Sequence, residues 1–438
     1  MSQKVPGKFT IMLGLMLFAL FFGAGNLIFP PMLGQQAGEN IWVANAGFLV
    51  TGVGLPLIGI IAFVFSGEKD LMSLSSRVHP VFGIVYTVIL YLAIGPFFAI
   101  PRAGNVSYEI GLKQPFLSAD TGPFPLIVFS IIFFLITCLL SLNPTKIIDI
   151  IGKFLTPIKL TFIGLLVLVA IIYPIGKIKA PTSEYASNAF FNGFQEGYLT
   201  LDALVACVFG IIIVNALKGK GITKKATVMK VCLLATGLAA VVLGVIYTAL
   251  AFMGASSVNE LGYLDNGAEI LADVSNHYFG SWGQIFLGLM ITVACLTTSV
   301  GLITSCSTFF HELMPRISYK TFAVILSIFS AIVSMVGLTQ LISISVPVLM
   351  AIYPITISLV FLTFLHSLFK GRRGVYIGSL VLTFCVSFFD GLNEAGLQVT
   401  AVNNLFMKIL PFYDVGLGWL VPSILGGLLG LLVSRIRK

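Results

Sequence analysis

Apolar residues in this chain gather in runs of 17 to 30 positions separated by short polar segments, and runs of that length predict helices, not strands. A hydrocarbon layer about 30 Å thick takes about 20 helical residues to cross. Only helices and closed barrels satisfy their own backbone in lipid, and helix-length runs exclude the barrel. Twelve such runs occur, at 9–35, 42–65, 80–102, 124–142, 147–175, 198–217, 227–254, 281–310, 321–338, 341–366, 374–390 and 415–434. The expected fold class is an all-α membrane protein with twelve transmembrane helices.

Composition agrees. Of 438 residues 58% are hydrophobic and 10% charged, against about 25% charged in soluble domains. With the N-terminus in the cytoplasm, 20 of the 25 Lys and Arg residues fall on or near the inner side. Arg102, Lys113, Lys177, Lys179 and Lys408 fall outside, and 255–280 holds four acids with no Lys or Arg. One missed span would invert every later loop, so the positive-inside alternation predicts an even number of spans with both termini cytoplasmic. The net charge of +8 then reads as membrane orientation, not nucleic-acid binding. The expected location is a cell membrane, with lipid as a partner. The first run exceeds a signal-peptide core and is kept as a span. Asn105-Val106-Ser107 matches a glycosylation acceptor in an outer loop, a motif too short to decide anything. All six cysteines lie inside apolar runs without CxxC spacing and read as small buried hydrophobes.

The informative positions are those that spoil an apolar run. Span 1 carries Phe21-Phe22-Gly23-Ala24-Gly25-Asn26-Leu27-Ile28-Phe29-Pro30, with two glycines and an asparagine halfway along. Such a segment is either a close helix crossing or an unwound stretch whose N–H groups face an anion and whose carbonyls face a cation. Five spans later, in the opposite direction, Asp202 to Asn215 has Phe209-Gly210 at its middle. Interrupted helices at matching positions of inverted halves point to a transporter site. In span 8, Ala294-Cys295-Leu296-Thr297-Thr298-Ser299 offers two neutral hydroxyls in a row. Hydroxyls in membrane helices commonly bond back to their own backbone, but a hard monovalent cation also takes neutral oxygen ligands.

These segments resemble the LeuT-type fold: a Gly-x-Gly-Asn break ending in Phe-Pro, a Phe-Gly beside a sixth-helix break, and an Ala-x-x-Thr-Thr in the eighth helix. More closely, FFGAGNLIFPP at 21–31, DALVACVFGIIIVNA at 202–216 and the whole-chain layout resemble the bacterial branched-chain amino acid:cation symporters of the BrnQ type. The resemblance implies a ten-helix core over 1–366 with inverted repeats at about 1–175 and 198–366, and two accessory helices over 367–438. It implies sodium-driven import of leucine, isoleucine or valine by alternating access, with no cofactor. Ala24 and Gly25 would present N–H groups to the substrate carboxylate, with Gly23 and Asn26 in the same break. Carbonyls near Phe22, Ala206 and Phe209 would meet the amino group, and Phe22, Val208, Phe209 and Gly210 would border the aliphatic pocket. Tyr91 or Tyr86 would match a carboxylate-holding tyrosine of span 3. The sodium position would map to the carbonyls of Ala19, Phe22 and Ala294 and the hydroxyls of Thr297 and Thr298. At a second ion position Asn26 matches, whereas Leu204 stands where the fold has a threonine.

Two charges at depth bear on coupling. Asp202 lies one turn inside the outer end of span 6, either hydrated at the interface or functional. Lys159 in span 5 either snorkels to the inner surface or replaces the sodium, as a span 5 lysine does in some proton-coupled relatives of the fold. HExxH, GxSxG and P-loop motifs do not occur, so no enzyme activity is expected. A channel would need a filter or a charged pore, and neither is seen.

Overall fold

A computed structural model of the chain describes residues 5–117, 122–142 and 146–436, with the backbone alone for 146–157 and 159. Among the described residues every regular element is helical. The first run is α1 (Gly7–Phe21) and α2 (Ala24–Ala37), and the second is α3 (Ile41–Leu49) and α4 (Leu55–Ser66) joined through a π turn. Then follow α5 (Leu71–Ser75), α6 (Pro80–Leu92), α7 (Ala99–Tyr108), α8 (Gln114–Phe116), α9 (Phe124–Leu142) and α10 (Lys146–Ile172). Short α11 (Ser183–Ser187) and α12 (Ala189–Glu196) precede α13 (Asp202–Gly219), α14 (Lys225–Leu261) and α15 (Gly267–Leu313). The chain closes with α16 (Tyr319–Ser334), α17 (Leu338–Leu365), α18 (Arg373–Glu394), α19 (Thr400–Ile409) and α20 (Leu420–Ile436). Among the described residues, eight helical stretches are long and apolar enough to cross a membrane, and four shorter apolar helices accompany them.

Three departures from the expected runs matter for function. The third run extends to Phe116 and is kinked at Gly95, whose φ of −104° and ψ of −118° leave the helical region just before Pro96. The eighth begins fourteen residues early at Gly267 and bends at Gly280, where φ is +64°. The sixth is continuous from Asp202 to Gly219, and its interruption lies before it.

The helices pair across the sequence. α1 and α2 pack on α14, α4 on α13, α7 on α15, and α9 on α16. At the α2–α14 crossing a Cβ on Gly34 would overlap the Ala251 carbonyl, and one on Gly254 would overlap Pro31, so both backbones approach as closely as glycine permits. The last helices form a separate layer: α18 lies between α17 and α20. Ser358, Ser379 and Ser423 join these three helices through hydroxyl contacts of 2.9 and 3.0 Å, giving the small-residue and hydroxyl packing that replaces the hydrophobic effect inside lipid. Four cysteines are buried as expected, but Cys138 is half-buried and Cys385 is exposed on α18.

Candidate functional site

The first break is local chemistry. Phe22 (φ −74°, ψ 72°) ends α1, and Gly23 (φ −95°, ψ −165°) caps α2. A helix start leaves its first N–H groups without partners in their own helix. The Gly23 N–H is met by the Asn26 side-chain oxygen at 3.2 Å and the Phe21 carbonyl at 2.7 Å. The N–H groups of Ala24 and Gly25 open the α2 terminus, where the helix dipole favours an anion.

The second break lies elsewhere than the sequence predicts. A 3-10 turn over Gly197–Thr200 and a left-handed Leu201 (φ +66°) precede Asp202, the first residue of α13. A non-glycine residue in that region costs on the order of 1 kcal/mol and must be held by its surroundings; Leu201 is 2% exposed. Phe209-Gly210 sits mid-helix, eight residues past Leu201. There Gly210 serves packing, since a Cβ would meet Phe63 at 2.8 Å, and Ala206 lies against Gly59 of α4 in the same way at 2.9 Å. Phe209 meets Phe21 edge-on at 5.0 Å, and Val208 is half-buried. Leu204 is buried within α13.

Folding brings the two breaks together. Asn26 Nδ2 donates to Asp202 Oδ2 at 2.5 Å and to the Tyr247 hydroxyl of α14. Tyr247 is fully buried and its ring stacks on Phe22 at 6.4 Å. Asp202 is 5% exposed, so it is not a hydrated interfacial acid but a buried group at the junction of both interrupted helices.

Span 3 contributes a residue that sequence reading put outside. Arg102 is 2% exposed on α7; its Nη1 donates to the Leu199 carbonyl in the second break, and its guanidinium lies 4.9 Å from the centre of the Phe29 ring. Asn105 and Ser107 are fully buried, with Ser334 donating to the Asn105 oxygen at 3.0 Å, which rules out the outer-loop glycosylation reading. Tyr91 is not brought to the breaks: its ring stacks on Phe309 at 4.1 Å. Tyr86 is buried and donates to Thr356 at 2.8 Å.

A cavity of about 130 Å³ sits at the end of the bundle where α2 finishes and α17 begins. Phe29, Met32, Gln36, Glu196, Leu199 and Ile342 are among its walls. Burial pushes the Glu196 carboxyl up to about 7, with Glu184 adding to the effect, and its Oε2 has no hydrogen-bond partner among the described residues.

The proposed cation ligands are spread over two helices. Ala19 lies on α1 and Phe22 at its end, while Ala294, Thr297 and Thr298 lie on α15. Both hydroxyls donate to the Ala294 carbonyl, at 2.8 and 3.1 Å, so three neutral oxygens cluster on one face of α15. Lys159 belongs to α10, and its side chain lies outside the described residues.

Solved structures share this architecture. The inward-facing conformation of Mhp1 matches with a TM-score of 0.65 over 98% of this chain and 91% of that one, at 12% identity. The shared fold is thus that of a helical bundle built around interrupted helices. The family model described as branched-chain amino acid transport protein matches residues 7–437, and the chain belongs to that family of multi-pass membrane transporters, which are not enzymes. The branched-chain amino acid permease BrnQ of Bacillus subtilis (strain 168) is 69% identical over 437 residues, covering 100% of this chain and 99% of the relative. The permease BraB of the same organism is 49% identical over 434 residues, covering 99% and 97%.

Proposed function

We propose that this chain is a secondary active symporter that imports branched-chain amino acids into the cell by alternating access, driven by sodium. The observation that carries the reading is the meeting of two interrupted helices at the Asn26–Asp202 contact. Helix ends opposed in this way offer N–H groups to a carboxylate and carbonyls to an ammonium or a cation without any cofactor. Family membership and the relatives named as branched-chain amino acid permeases support the substrate class.

In this reading twelve spans cross the plasma membrane with both termini cytoplasmic. Residues 1–366 form the transport core, with inverted repeats at about 1–175 and 198–366, and 367–438 form two accessory helices and the tail. The helix pairing supports the repeat. Numbering the spans in order, first with seventh maps onto sixth with second when the halves are exchanged, and third with eighth and fourth with ninth map onto themselves. Sodium would sit at the Ala294, Thr297 and Thr298 oxygens and the end of α1, and would stabilise the unwound first helix. Ion and substrate would then bias one set of helices, which is a coupling free energy between sites.

One observation favours a second reading. Asp202 is a buried carboxylate at the junction, the kind of group that carries a proton in a proton-coupled transporter. Leucine uptake into proteoliposomes under an imposed sodium gradient, or an imposed proton gradient, separates the two. Uptake driven by sodium supports the first reading; uptake driven by protons and indifferent to sodium overturns it. No leucine uptake under either gradient overturns the substrate class.

A further inference from the structure

Arg102 has no part in the function proposed above, yet its surroundings are those of a binding group. A guanidinium at membrane depth is expensive and is retained where something pairs with it. Nη1 is bonded to the Leu199 carbonyl, but the adjacent Nε and Nη2 have no hydrogen-bond partner among the described residues, although the residue is 2% exposed. Gly25 lies directly against it: a Cβ there would stand 2.9 Å from Nη1 and 3.2 Å from the Phe29 ring. The open start of α2 therefore adjoins a guanidinium that it meets at Nη1 and that keeps its other edge unpaired.

Asp202 lies three residues beyond Leu199, the acceptor of Arg102. They are not in ion-pair contact: among the described residues the ion pairs are Arg77 with Glu68, and Lys113 with Glu109 and Glu269. A buried basic side chain and a buried acidic one thus stand at one junction of broken helices without an ion pair between them.

We propose that Arg102 and Asp202 are a matched pair that reads the two charges of a zwitterionic α-amino acid. Nε and Nη2 form one edge of the planar guanidinium fork, the geometry that takes both oxygens of a carboxylate. The N–H groups of Ala24 and Gly25 meet the same carboxylate from the other side. Asp202 accepts from the substrate ammonium through the acceptor capacity that Asn26, Thr200 and Tyr247 leave unused, since a carboxylate has about four acceptor sites. Phe29 lies against the guanidinium and lines the 130 Å³ cavity, as Leu199 does, so Arg102 is one aromatic ring away from it. A ligand lacking either charge leaves its partner buried and unpaired, and the site rejects it. The inference rests on the amino-acid transport reading above and assigns the selectivity of that site.

The test is competition against radiolabelled leucine uptake in proteoliposomes by leucine, leucinamide and 4-methylpentanoate. Wild-type protein is expected to prefer leucine over either analogue by 100-fold or more. Arg102→Gln is expected to collapse the preference for leucine over leucinamide at least tenfold, while the preference over 4-methylpentanoate is kept. Asp202→Asn is expected to do the reverse. Arg102→Lys, which keeps the charge and loses the fork, is expected to raise KM for leucine about tenfold with maximal rate little changed. An Arg102→Gln protein that transports leucine and still discriminates against leucinamide as wild type does would overturn the proposal. Should that variant not fold, Gly25→Ala, whose methyl crowds Nη1, is expected to weaken leucine more than leucinamide; equal loss for both overturns it. Wild-type protein that does not take up leucine at all refutes the transport reading instead.

Discussion

Asn26 and Asp202 are 176 residues apart in the chain, and their side chains meet at 2.5 Å where two helices are interrupted. Asn26 uses its whole amide in this junction: the oxygen caps Gly23, and the nitrogen donates to Asp202 and Tyr247. The contact ties the start of α2 to the start of α13.

Removing the acceptor should therefore cost stability as well as activity. Asp202→Ala leaves the Asn26 amide with one acceptor fewer in a buried site, at about 1–3 kcal/mol for an unsatisfied group. Thermal unfolding in detergent is expected to show a lowered Tm for Asp202→Ala and a smaller loss for Asp202→Asn. Equal Tm for wild type and Asp202→Ala would contradict the contact.

The α2–α14 crossing depends on glycine. Gly34→Leu drives a side chain into the Ala251 carbonyl, and overpacking of this kind costs about 1–3 kcal/mol or more. Loss of the monodisperse peak in size-exclusion chromatography is expected, whereas Gly244→Leu on α14, where a Cβ meets nothing within 4 Å among the described residues, should be tolerated.

Glu196 gives a pH dependence with a definite sign. Its carboxyl is raised from 4.5 to about 7 by burial, so between those values the folded protein holds a proton that the unfolded chain releases. Stability then falls as pH rises through that window. Glu196→Gln is expected to raise Tm at pH 8 and leave it unchanged below pH 4.5; an effect of the same size at both ends would show that packing, not ionisation, is being read.

Thr297 and Thr298 bond back to their own helix, a weak local interaction. Replacing both by Ala should shift Tm little and abolish sodium stimulation of uptake. Stimulation that survives in the double variant would remove these oxygens from the ion site.

The first break was legible because glycines and an asparagine interrupt apolar sequence at 23–26, and their local chemistry is enough to unwind it. The second was not. Gly197-Tyr198-Leu199-Thr200-Leu201 has no paired breaker, and Leu201 is held left-handed by the surroundings that bury it, whereas the conspicuous Phe209-Gly210 serves packing against α4. Asp202 stood out as an acid in an apolar run, but its depth followed from that misplaced break. Arg102 was hidden by a boundary drawn at it: apolarity falls there because α7 faces the protein interior, not because the helix ends. Hydropathy measures contact with lipid, so it is weakest where membrane helices line a polar centre.

Amide hydrogen exchange with and without leucine tests the joined breaks most directly. Peptides covering 22–25 and 197–202 are expected to exchange quickly in the free protein and slow together on adding leucine and sodium, while 205–213 stays protected throughout. Leucine-dependent protection at 206–210, with both breaks unaffected, would contradict the account.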